Sequence, residues 1–76
     1  MLSLSIRPEV LAHLREIYPK GTRVELLEMN DPYRTMPPGL RGTVQNVDDA
    51  GGIHVSWDNG SSLAAIHGID CIRKLD

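Results

Sequence analysis

The stretch from Gly42 to Asp70, GTVQNVDDAGGIHVSWDNGSSLAAIHGID, constrains this chain more than any other. Ile53, Val55 and Trp57 alternate with His54, Ser56 and Asp58, the period-two pattern of a strand with one buried face. Asp49-Ala50-Gly51-Gly52 precedes this strand as a turn. Asn59-Gly60 follows it as a two-residue type I′ hairpin turn, whose central residues both need positive φ. Before the first turn, Gly42 to Asp48 reads as a strand with Val44 and Val47 as its apolar points, an odd spacing that indicates a bulge. After the hairpin, Ser61 to Ile66 returns as another strand. His67-Gly68-Ile69-Asp70 forms a corner, and Cys71 to Leu75 a last short strand. Trp57 falls on the inward face.

Upstream of this block the pattern changes. Val10, Leu11, Leu14, Ile17 and Tyr18 recur at three- and four-residue spacing, which predicts a helix over 8–18 with one apolar stripe. Pro8 suits its first turn, where an amide would be unpaired anyway, and Glu9 suits the dipole there. Pro19 and Gly21 end it. Thr22 to Met29 is a strand in which Val24 and Leu26 alternate with Arg23 and Glu25. Leu27 then falls on the polar side and indicates a bulge or a covered second face. Asn30 to Leu40, NDPYRTMPPGL, is a long proline-stiffened loop, a segment type that often carries function.

One helix, five strands, a long loop after the first strand and a corner before the last describe a mainly β fold, a five-stranded SH3-like barrel with an N-terminal helix. The 76 residues are read as a single domain over 1–76, with the helix at 8–18 and the barrel at 21–75. Two places for the helix stripe stay open at this stage: against the barrel as extra core, or against a partner or second copy through Val10, Leu11, Leu14 and Ile17.

Met29-Asn30-Asp31-Pro32-Tyr33, Pro38-Gly39, Gly42-Thr43-Val44, Val47-Asp48-Asp49, Gly52-Ile53-His54-Val55, Trp57-Asp58-Asn59-Gly60-Ser61 and Gly68-Ile69-Asp70 form a set. The block that holds them, Glu28 to Arg73, resembles a family of small domains of unknown function familiar from phage and mobile elements of Gram-positive bacteria. The Val-x-Trp-Asp-Asn-Gly piece by itself is similar to hairpins of several SH3-like modules, including the mind-bomb-type domains of ubiquitin ligases. The resemblance implies a barrel and a phage or mobile-element setting, hence a bacterial cytoplasm. It implies no activity, and it does not cover the helix.

Composition narrows the function classes. Eight Lys and Arg stand against ten Asp and Glu, a formal charge of −2. A phosphate-binding face would have to be a local patch of Lys20, Arg23, Arg34 and Arg41, interrupted by Glu25, Glu28 and Asp31. Tyr18, Tyr33 and Trp57 are too scattered for a base-stacking platform. No run reaches the ~18 apolar residues of a membrane helix. MLSLSIRPEV lacks the basic start and cleavage site of a signal peptide. Cys71 has no disulfide partner in the chain, fits a reducing compartment, and is expected in the core of its strand.

For metal binding, His54, His67 and Cys71 fall short of a four-ligand zinc set, with His13 distant in sequence, so no metal and no cofactor is expected. Asp48, Asp49 and Asp58 are turn aspartates expected to bond their own backbone, and no nucleophile–base pair accompanies them. Gly51-Gly52 and Gly60 do not open a helix after a strand as a phosphate cradle does. The reading is a non-enzymatic protein-binding module. Tyr33, Arg34 and Met36 of the long loop, with Arg41, are the candidate contact residues. A nucleic-acid-associated barrel and a homodimer formed through the helix are the alternatives.

Overall fold

The computed structural model describes residues 6–29 and 36–75. Its elements are α1 (Pro8–Ile17), β1 (Arg23–Glu28), β2 (Arg41–Val47), β3 (Gly52–Trp57), β4 (Ala64–Ile66) and β5 (Cys71–Lys74). The chain is mainly β: among the described residues there are five antiparallel strands in one sheet of order β4-β3-β2-β1-β5 and one N-terminal helix.

Helix α1 starts where Pro8 places it. The Arg7 carbonyl accepts the Val10 and Leu11 amides, both at 3.0 Å. Tyr18 leaves helical geometry and caps the end, its amide donating to the Leu14 carbonyl at 2.9 Å, so the helix stops one residue short of the expected end. Leu14 is its one buried residue and enters the sheet's core. Arg15, one position on, donates to the Val47 carbonyl at 3.2 Å and to Asp49 at 2.7 Å. Through Leu14 and Arg15 the helix packs on the sheet, the first of the two places left open for its stripe. Leu11 and Tyr18 pack against the core from its margin.

Inward side chains come from alternate strand positions, as the pleat requires. Val24 and Leu26 of β1, Val44 of β2, and Val55 and Trp57 of β3 are all at most 2% exposed. The Trp57 indole N–H reaches the Leu63 carbonyl at 2.8 Å, which satisfies the one polar group that this ring buries. Opposite Trp57 the sheet has room only for Gly42. A Cβ there would lie 2.5 Å from Val55 Cγ1, 2.9 Å from the Ser56 carbonyl oxygen and 2.9 Å from the Trp57 ring.

Both expected bulges are present. The β2–β3 register shifts between Val44 and Asn46, which lets Val44 and Val47 face the same way. The β1–β5 register shifts between Leu26 and Glu28, and Leu27 is left exposed.

Three expectations need correction. The β3–β4 turn is not type I′, because no described residue other than glycine has positive φ. Instead the Gly60 amide bonds the Trp57 carbonyl, and the Trp57 amide bonds the Ser61 carbonyl. This is a three-residue loop in which Gly60, at φ +90°, supplies the left-handed position alone. Asn59 contributes its side chain, accepting the Ser61 amide at 3.0 Å. That longer loop shortens β4, which runs over 64–66 rather than from Ser61. Cys71 is exposed rather than in the core. Ile72 pairs with Leu26 across β1–β5 and faces inward, so alternation turns Cys71 out.

Candidate binding groove

Leu27, Ile66 and Ile69 are the large hydrophobic side chains exposed among the described residues, at 45%, 38% and 56%. They come from the end of β1, the end of β4 and the following corner, and all three line one groove of about 600 Å³. Leu14 and Ile17 of α1, with Tyr18 at its C-terminal cap, form one wall. Ile53, Ala65 and Ile72 reach it from the sheet, so it opens directly onto the core. Burial raises the Tyr18 phenol above its ordinary pKa, and its ring presents a neutral, amphipathic surface.

Each local cause is ordinary. The bulge after Leu26 turns Leu27 out of the pleat. The 67–70 corner is tied back on itself: the Ile69 and Asp70 amides both bond the Ile66 carbonyl, and the Asp70 carboxylate accepts the Ile66 amide at 2.9 Å. This fixes Ile66 and Ile69 where they stand. A smaller hollow of about 420 Å³ shares Ile66, His67 and Ile69 and extends to Ile6 and Ala50.

The polar residues singled out from the sequence are spread around the molecule. His13, His67 and Cys71 do border the groove together, although His13 is remote in sequence. No group of three or more His, Cys, Asp or Glu that could hold a metal occurs among the described residues. His54 lies elsewhere, its Nε2 2.7 Å from Asp48. Asp48 also accepts the Ala50 amide at 3.0 Å and the Gly52 amide at 2.8 Å, so it organises the β2–β3 turn as a turn aspartate should. The bond from His54, and then that from Gly52, hold its carboxyl below the usual range. Asp49 is engaged by Arg15.

Asp58 accepts from the two terminal nitrogens of the Arg23 guanidinium, at 2.9 and 2.6 Å. That bond lowers the Asp58 pKa and raises that of Arg23. The cationic patch is thereby reduced at its centre: Arg23 is bound to a carboxylate, while Arg41 is exposed nearby and Lys20 is exposed beyond the helix. Arg34 and Tyr33 lie outside the described residues. Met36 is half-buried and packs against the core from its margin. Of the helix candidates, Leu14 is buried, and Val10, Leu11 and Ile17 are half-buried.

The chain matches a domain of unknown function, DUF4314, over residues 7–75. The chain belongs to that family. The DUF4314 match takes in α1, whereas the sequence resemblance stopped short of it, and so the helix wall of the groove is part of the family's domain. No curated protein and no solved structure matches the chain.

Sequence reasoning located the strands that build the groove but not the groove itself. Leu27 carried the one usable signal, an apolar residue at an outward position. Ile66 and Ile69 sit where the chain turns, and no periodicity shows which way a corner residue points.

Proposed function

We propose that this DUF4314 domain is a non-enzymatic protein-binding module that uses the groove between α1 and the β4–β5 corner. The observation that carries this reading is the convergence of Leu27, Ile66 and Ile69 on one concave surface. Scattered exposed hydrophobics are normal, whereas clustered ones leave apolar surface in water that a partner would cover. The polar residues with chemical potential support it from the other side. Asp48 is committed to a turn, Asp49 to Arg15 and Asp58 to Arg23, so none stands ready as a general acid or base. No described helix is long and apolar enough to cross a membrane.

The sequence resemblance to domains of phage and mobile elements makes a protein of the bacterial host, met in its cytoplasm, the partner proposed. Immobilised wild type and a Leu27→Ser/Ile69→Ser variant, both shown to be folded, are to be compared for the proteins that they retain from a Gram-positive lysate. A set retained by the wild type and lost by the variant supports the groove. Identical sets refute it.

A further inference from the structure

The groove lies between the two edges of the sheet. Strands β4 and β5 are the outermost in the order, both contribute to the groove, and no pairing joins them among the described residues. The two edges differ in one respect that decides between them. In an antiparallel ladder, alternate residues turn both backbone groups toward the neighbour or away from it.

At β4, the His67 amide bonds the Gly51 carbonyl, so His67 turns inward and Ile66 outward. The outward groups of Ile66 are taken by the chain itself, its amide by the Asp70 carboxylate and its carbonyl by the Ile69 and Asp70 amides. The β4 edge is closed at that point by its own corner.

At β5, the Leu75 amide bonds the Arg23 carbonyl, and Arg73 lies opposite Glu25. Ile72 and Lys74 therefore turn their backbone groups away from β1. Among the described residues those groups have no hydrogen-bond partner and the Lys74 ammonium has no ion pair. Ile72 projects into the groove, and Lys74 is two positions along on the same face.

We propose that the open edge of β5 takes an extended segment of a partner protein as a sixth strand. An apolar residue of the segment lies opposite Ile72, at the groove, and an acidic residue two positions away lies opposite Lys74. Main-chain bonds to Ile72 and Lys74 hold the segment, and the alternate side chains select it, the division of labour found wherever a strand is added to a sheet edge. A second copy of this chain is a poor occupant. Arg73 is already paired with Glu25 at 2.7 Å, and self-pairing of β5 edges centred on Lys74 would set two Lys74 ammonium groups opposite each other, whereas an acidic segment meets Lys74 favourably.

This inference rests on the groove being the binding surface, and the experiment separates the two. Short random peptides are selected on the immobilised full chain, and the enriched ones are added to the ¹⁵N-labelled protein for amide hydrogen exchange. The expected result is enrichment of an apolar residue and an acidic residue two positions apart, with slowed exchange at the Ile72 and Lys74 amides. Lys74→Glu, at an exposed position that leaves the fold intact, should weaken those peptides about two- to fivefold or more, the size of one cross-strand charge pair, and should enrich a basic residue instead. Peptides that shift Leu27 and Ile69 but leave the Ile72 and Lys74 amides exchanging as in the free protein would overturn the strand addition and keep the groove. Unchanged enrichment on Lys74→Glu would overturn the acidic specificity. No enrichment at all would overturn both readings.

Discussion

Replacing Leu14 by alanine tests whether α1 is part of the core or an attachment to it. Leu14 is 4% exposed and is the one helix residue inside the sheet's apolar cluster, so the docking of α1 depends on it more than on any other side chain. A buried Leu→Ala change costs about 2–5 kcal/mol, the spread reflecting how much empty space remains. Here Leu14 also borders the open groove, so the vacated volume is continuous with solvent and the penalty for a sealed cavity is small. The expected loss is at the low end, about 2–3 kcal/mol. A chain of this length has roughly 4–11 kcal/mol to lose, so the effect is large. Urea unfolding followed both by Trp57 fluorescence, which reports the sheet, and by circular dichroism, which adds the helix, should show the two transitions moving together to lower urea with an unchanged slope. A loss below about 0.5 kcal/mol, the range of ordinary surface changes, would refute the assignment of Leu14 to the core. A variant that loses its helix signal while Trp57 stays buried would show that α1 undocks on its own and is not cooperative with the sheet.

Gly42→Ala should destabilise by about 1–3 kcal/mol in the same assay, because the added carbon meets a backbone carbonyl that cannot swing aside as well as two core side chains. Asp48 sets an acid limit on stability. Its carboxyl is held down in the folded chain, so its contribution is whole above the unfolded value of about 3.9 and is lost as pH falls through that value and the lower folded one. Chemical unfolding measured across this acidic range should show a drop that Asp48→Asn flattens, and an equal drop in the variant would count against the assignment. Asp58→Asn releases Arg23 from its carboxylate, and under the nucleic-acid alternative it should increase low-salt binding to duplex DNA, seen as a gel shift that weakens with added salt. No shift with either protein would remove the nucleic-acid alternative. The single variants Leu27→Ser and Ile69→Ser should each change stability by less than about 0.5 kcal/mol, because exposed side chains contribute little to the folded state.

The parts of the fold visible in the sequence are those governed by local rules. The alternation through Ile53, Val55 and Trp57 placed the central strand and its inward face, and the odd spacings at Val44–Val47 and at Leu27 placed two bulges. Pro8 and Pro19 bracketed the helix. Features that depend on the partner strand were not visible. Asn59-Gly60 suits a two-residue turn and a three-residue loop alike, and the choice fell to the geometry between Trp57 and Ser61. Cys71 looked apolar by composition, but the register that brings Ile72 to Leu26 decides which of the two neighbours faces in. The groove was hidden for the same reason. Its walls come from α1, the end of β1 and the 66–72 segment, which are far apart in the chain and meet only when β5 pairs with β1. Of the loop candidates, Met36 is seen at the margin of the core, and Tyr33 and Arg34 lie outside the described residues.

The strand order also sets a sequence of events. The pairings β1–β2, β2–β3 and β3–β4 each join neighbours along the chain, and only β1–β5 joins distant segments, with Glu25 and Arg73 separated by 48 residues. Closing that span costs chain entropy that short hairpins do not incur, so the four-stranded meander can assemble first and β5 adds last. Until it does, the outer side of β1 is itself an open edge, with Leu26 uncovered beside it. The vulnerable interval in the life of this protein is therefore the one before β5 arrives, and a chain emerging from the ribosome passes through it every time.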